Sequence, residues 1–334
     1  MEILSSSDRD IEKAAAMLAA GKLVAFPTET VYGLGADTFN LSALARIFEV
    51  KNRPRFDPLI IHIADLDAIH KIVDTVSLNN AFGEKLSLLS QKLWPGPLTL
   101  VLPKRPEVPG LATAGLATVA VRFPSHPAAQ KLIRLSTGAI AGPSANPFGF
   151  LSPTRAEHVK AQLGEKVDCI IDGGRTTVGI ESTVLDLSRD RPRILRPGGT
   201  SRESIEALIG PVELSAGHTP DAAEGGAAQL SPGQLKSHYA PRTPLILYAQ
   251  GELASLPESP GEGRLYFSPP GITGGGSTRV LSETGDLCEA AANLFDMLHE
   301  LDSLALKLIR AEEAPAHGLG AAINDRLRRA GNRG

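Results

Sequence analysis

Short apolar runs alternate with stretches of helical periodicity as far as about residue 210. That alternation constrains the fold more than any other feature. A few consecutive Val, Ile, Leu or Phe residues bounded by Gly or Pro read as a strand, whereas apolar residues three and four apart read as one helix face. Strands are expected at 23–26, 59–63, 98–102, 118–122, 138–141, 168–172, 182–187 and 192–196. Asp8 is expected to cap a helix with Ile11, Ala14, Ala15 and Leu18 inward and Gly21 as its stop. A second helix is expected after Asn40, with Leu41, Leu44, Ala45 and Phe48 inward. Further helices are expected at 66–72, 80–92, 126–135, 155–163 and 201–208. Such an order builds an α/β or α+β domain around one sheet.

The pattern stops at Ser215. From there to about Gln234 the chain is rich in Ala, Gly and Pro, the composition of a linker or long loop. Beyond it, 245–248 and 264–267 read as strands. A helix from about 283 carries Leu287, Ala291, Leu294, Leu298 and Leu301 on one face. A strand at 304–310 and a helix at 319–330 follow. This describes a small α/β unit of roughly 90 residues with a modest core of its own. We divide the 334 residues into a first domain at 1–212, a linker at 213–242 and a second domain at 243–334.

Charge excludes a generic polyanion binder, since the net charge is −3. It is uneven, however: residues 1–214 hold 24 Lys+Arg against 23 Asp+Glu, and the rest hold 10 against 14. Cations cluster near 51–55 and 189–202, so a local positive cleft is compatible with the total. Aromatic residues are only 4%, which argues against a surface of stacked rings. Cys169 and Cys288 stand far apart, which excludes a disulfide framework and a cysteine-built zinc site. The absence of a long apolar run and of a signal pattern leads us to expect a cytoplasmic chain with no membrane partner.

Polar runs gather where strands end. Lys51-Asn52-Arg53-Pro54-Arg55-Phe56-Asp57-Pro58 precedes the strand at 59–63. Its prolines stiffen three cations that suit polyphosphate. A solvated charge cluster is the plainer reading of the same residues. Thr28 to Gly35 follows the first strand with hydroxyls and glycines, although an ordinary turn would look alike. Arg122 closes an apolar strand and can clamp a carboxylate with two hydrogen bonds, or else extend its head into water. Gly142-Pro143-Ser144-Ala145-Asn146 and Glu181-Ser182-Thr183 add hydroxyls and an amide, and Arg196 ends a further strand. His62 is the lone histidine in this set. No Walker or dinucleotide fingerprint occurs. The set suits positioning and charge stabilisation in phosphoryl or nucleotidyl transfer.

The ordered series TETVYGLG, KNRPRFDPL, WPGPLTL, VRFP, SAN, EST and RPG resembles the YrdC-like threonylcarbamoyl-AMP synthase family over about residues 12–210. QLKSHYAP, at 234–241, is similar to the linker end of its long, two-domain form. The resemblance implies a YrdC-like twisted mixed sheet with helices around a concave cleft, plus a small Rossmann-like C-terminal domain. It also implies a nucleotidyltransferase forming threonylcarbamoyl-AMP and pyrophosphate from L-threonine, bicarbonate and ATP. The product would pass to a tRNA threonylcarbamoyl transferase complex, with tRNA contact an open question.

By the same resemblance, Thr30, His62, Arg122, Gly142 and Ser182 hold threonine. Lys51, Arg53, Asp57, Thr118, Ser144, Asn146, Ser152 and Arg196 surround ATP, and Tyr239 covers it as a lid. Lys51, Arg53 and Arg196 stabilise phosphate charge during catalysis, together with Mg2+ brought by ATP rather than by protein ligands. The family usually has asparagine at the position of Asp57. A carboxylate there repels phosphate unless it pairs with Arg53 or Arg55 or meets the metal. Phe148 replaces a residue that is usually small. Two other readings use the same residues. One is an RNA-binding module with a basic concave face. The other is a hydrogenase-maturation carbamoyltransferase, whose cysteine-rich zinc segments this chain lacks.

Overall fold

The computed structural model describes residues 1–77, 80–215, 229, 238–270 and 276–332. Most of the expected linker lies outside these residues. The larger sheet has eleven strands: β1 (Glu2–Ser5), β2 (Val24–Phe26), β3 (Gly33–Asp37), β4 (Ile60–Ile63), β5 (Leu98–Pro103), β6 (Thr118–Arg122), β7 (Ala139–Ala141), β8 (Cys169–Asp172), β9 (Thr183–Asp186), β10 (Arg193–Arg196) and β11 (Glu213–Leu214). Their order across the sheet is β1-β8-β2-β3-β7-β4-β6-β5-β9-β10-β11, with parallel and antiparallel pairs mixed. Helices α1 (Asp8–Ala19), α2 (Leu41–Lys51), α3 (Asn80–Leu93), α4 (Pro127–Leu135), α5 (Ala156–Leu163) and α6 (Arg202–Ile209) cover it.

The helices form where apolar spacing and caps coincide. Ile11, Ala14, Ala15 and Leu18 are the buried stripe of α1. Its cap is Ser7 rather than Asp8, because the Ser7 hydroxyl accepts from the Asp10 amide at 3.4 Å. Asn40 caps α2 through the Ala43 amide at 3.0 Å. The inward face of α2 is Ala43, Leu44, Ile47 and Phe48, while Leu41 is 60% exposed. The first residue of a helix projects beyond the surface that the later turns cover. The span expected at 66–72 is a short 3-10 helix at Asp67–Lys71.

The second sheet is wholly parallel, in the order β12-β15-β13-β14. Its strands are β12 (Leu245–Tyr248), β13 (Glu262–Tyr266), β14 (Thr278–Val280) and β15 (Leu308–Glu312), accompanied by α7 (Glu252–Ser255), α8 (Leu287–Ser303) and α9 (Gly320–Gly331). Asp286 caps α8, so this helix starts and ends later than the sequence pattern suggests and displaces the strand expected at 304–310.

The two parts share a polar and apolar junction. Arg155 makes bonds of 2.6 and 2.9 Å to the Asp296 carboxylate on α8. His158 stacks on His299 with ring centres 3.9 Å apart. Among the described residues no helix is long and apolar enough to cross a membrane.

Candidate active site

Strand register assembles the centre of the site. Parallel β4 and β6 pair His62 with Arg122, and antiparallel β5 pairs Thr99 with Arg122. Directly paired residues project from one face, so an imidazole, a guanidinium and a hydroxyl stand in a row. Thr99 Oγ1 lies 2.7 Å from Ser182 Oγ, just before β9. This row meets a cleft. Thr30, Arg53, His62, Arg122, Gly142 and Ser144 line it, as do Ser182, Arg196 and Tyr239.

Each cation has a defined setting. Arg122 is buried with Nη2 2.8 Å from Glu29 Oε1. The contact is an ion pair, and neither Arg122 Nε nor Nη2 has a hydrogen-bond partner. Arg53 donates to the carbonyls of Asp57 at 3.1 Å and Pro58 at 2.7 Å, and its Nη2 is 2.9 Å from Asp57 Oδ2. Arg196 donates to the Ser182 carbonyl at 2.9 Å. Burial lowers the pKa of both Arg53 and Arg196, and Arg196 adds to the lowering at Arg53. Converging cations of this kind are relieved by an anion.

His62 is held neutral. Burial, and then the neighbouring Arg122, push its pKa down to about 3. Its Nδ1 is buried without a hydrogen-bond partner. A Cβ at Gly142 would come within 3.2 Å of that nitrogen and of the Phe26 ring, so a side chain there would crowd the imidazole. Thr30 Oγ1 is 2.8 Å from Thr28 Oγ1.

Five expected residues do not line the cleft. Lys51 is fully buried, and its ammonium donates to the Ser144 carbonyl at 2.5 Å and to the Asn146 carbonyl. It therefore ties down the loop that carries Ser144, where the sequence suggested a direct phosphate contact. Asp57 is buried beside Arg53, with no hydrogen bond to either carboxylate oxygen. Burial raises its pKa to about 6 while Arg53 opposes the rise. Asn146 donates to the carbonyls of Pro147 and Phe150, both at 2.9 Å. Ser152 donates to Glu181. Thr118 opens β6 opposite Pro103, at the far end from Arg122, about 13 Å away at 3.3 Å per residue.

Sequence reasoning missed Glu181 and His238 as cleft residues and Glu29 as the carboxylate beside Arg122. Glu29 and Glu181 lie inside motifs already singled out, and the signal was the need of a buried arginine for a carboxylate. Among the described residues no group of three metal-ligating side chains occurs.

Comparison with known proteins identifies this assembly. Residues 16–198 match a family model described as telomere recombination (Sua5–YciO–YrdC), and residues 200–332 match the threonylcarbamoyl-AMP synthase C-terminal domain. The threonylcarbamoyl-AMP synthase of Pyrococcus abyssi is 43% identical over 330 residues, covering 96% of this chain and 93% of the relative. That of Bacillus subtilis is 40% identical over 336 residues, covering 98% and 94%. The crystal structure of P. abyssi Sua5 complexed with L-threonine superposes with a TM-score of 0.89 at 39% identity, covering 99% of this chain and 98% of that one. The likeness runs through both sheets and the whole length, so the chain belongs to the two-domain threonylcarbamoyl-AMP synthase family and makes that adenylate by nucleotidyl transfer.

Proposed function

We propose that the cleft binds L-threonine beside His62 and Arg122 and binds ATP beside Arg53 and Arg196, with bicarbonate supplying the carbamoyl carbon. The carrying observation is the unused Arg122 donor pair in register with a neutral His62. A free amino-acid carboxylate completes the guanidinium fork. His62, with its pKa near 3, holds substrate by hydrogen bonding and is too weak a base to keep an amine proton. Thr30 and Ser182 offer hydroxyls to the threonine, and Gly142 leaves room for it.

The threonine nitrogen bonds to the carbon of carbon dioxide, or of bicarbonate with loss of water, and gives up a proton to form the carbamate. A carbamate oxygen then bonds to the α-phosphorus of ATP as the bond to the bridging oxygen breaks, and pyrophosphate leaves. No protein nucleophile takes part. Arg53 and Arg196 receive the charge that builds on the phosphates, while Lys51 and Asn146 hold the loop bearing Ser144. Asp57 balances Arg53. Mg2+ enters with ATP and neutralises part of the phosphate charge when bound.

Tyr239 acts as a lid. We read 1–212 as the catalytic domain, 213–242 as the linker and 243–334 as the small domain, in a cytoplasmic protein. The adenylate passes to a transferase that modifies tRNA adenosine. The cleft arginines are only 4–7% exposed, which favours a small enclosed polyphosphate over an RNA strand on an open surface.

The assignment is tested by separating the two substrates. Arg53→Gln should raise KM for ATP, and His62→Gln should raise KM for threonine, each with little effect on the other substrate. Exchanged effects would reject the placement.

A further inference from the structure

The small domain packs against residues that line the cleft. Its core cluster continues without a break into Val31, Leu151, Ile180 and Tyr239. Arg326, on α9, has no exposed side-chain surface. Its Nε donates to Glu181 Oε2 at 2.8 Å and its Nη1 to Asp325 Oδ2 at 2.7 Å. The guanidinium carbon lies 5.1 Å from the centre of the Tyr239 ring. Phe295 of α8 packs on the same ring at 5.6 Å. Glu181 and Tyr239 line the cleft, whereas Arg326 does not.

We propose that Arg326 is a positioning residue through which the small domain holds Tyr239 and Glu181 in place around bound ATP. This rests on the reading of Tyr239 as a lid. Two physical effects operate. The flat guanidinium braces the tyrosine ring by a desolvated cation–π contact. It also neutralises Glu181, a buried carboxylate that would otherwise repel the nucleotide or take Arg196 as its partner. Arg326 and Arg196 both favour the ionised form of Glu181, so the carboxylate interacts with both. The small domain is in this sense part of the nucleotide site.

The test is steady-state pyrophosphate release by the full chain, with ATP varied at saturating threonine and bicarbonate. The variants are Arg326→Gln, Arg326→Lys, Tyr239→Ala and the Arg326→Gln/Tyr239→Ala pair. Arg326→Gln and Tyr239→Ala are each expected to raise KM for ATP about tenfold with a smaller change in kcat. Arg326→Lys keeps the charge but loses the planar fork, and is expected to raise it about threefold. Because the two residues act together, the double variant should fall well short of the product of the single effects. A merely structural role for Arg326 would lower the active fraction, and so the maximal rate, at unchanged KM. That result in Arg326→Lys, or a fully multiplicative double variant, overturns the proposal. If Arg326→Gln does not fold, Arg326→Lys decides alone. Unchanged KM in Tyr239→Ala removes the lid and the proposal with it. A raised KM there alongside Arg326 variants at the parent value removes the proposal and keeps the lid.

Discussion

Replacing Arg122 by lysine tests the threonine half of the site most cleanly. Arg122 is buried, its Nε and Nη2 lack hydrogen bonds, and Glu29 Oε1 lies 2.8 Å away. Alanine would strand the Glu29 carboxylate, at a cost of about 3–5 kcal/mol that falls on folding as well as on binding. Lysine keeps a cation for Glu29 and removes the fork. A bidentate carboxylate contact then falls to a single one, and a charge-assisted hydrogen bond is worth about 1.5–3 kcal/mol. Taking about 2 kcal/mol, KM for threonine should rise roughly thirtyfold. The assay is pyrophosphate release with threonine varied at saturating ATP and bicarbonate, together with thermal melting to confirm an intact fold. KM for ATP should move by no more than about twofold. An unchanged KM for threonine in a folded variant would refute the clamp, and a shift confined to ATP would place Arg122 on the wrong substrate.

Three further outcomes follow from the same geometry. The folded pKa of His62 is depressed from 6.5 to about 3, so its contribution is fully present above pH 6.5 and is lost as pH falls toward 3. Between pH 7.5 and pH 5 the parent should lose about 2 kcal/mol more stability than His62→Gln, measured by urea denaturation; equal losses contradict a buried neutral imidazole. Lys51→Met strands the Ser144 and Asn146 carbonyls, which should cost about 1–3 kcal/mol of stability and raise KM for ATP; an unaltered melting temperature argues against the tie. Asp57→Asn adds one net positive charge beside Arg53 and should lower KM for ATP about threefold at fixed free Mg2+. A higher Mg2+ requirement would instead make Asp57 a metal ligand.

Much of the fold is legible because burial writes its own period. Ile61, Val121 and Ile140 sit in adjacent strands and are fully buried, and their apolar runs are plain in the sequence. β3 is not legible in that way. Gly-Leu-Gly-Ala reads as a turn, yet a Cβ at Gly33 would lie 2.9 Å from the Phe26 ring, so smallness there reflects close strand packing. The strand-end arginines Arg122 and Arg196 stood out because a charge closing an apolar run needs a partner. Lys51 is harder to read: an ammonium looks the same in sequence whether it faces phosphate or backbone carbonyls. The contact of Arg326 with Glu181 spans 145 residues, and no local pattern encodes it.

The most direct measurement is pyrophosphate release from ATP and Mg2+, with threonine and bicarbonate each supplied or withheld. Release that requires both, with threonylcarbamoyl-AMP as the co-product by mass spectrometry, is the predicted result. Release that persists when either is withheld would contradict the account.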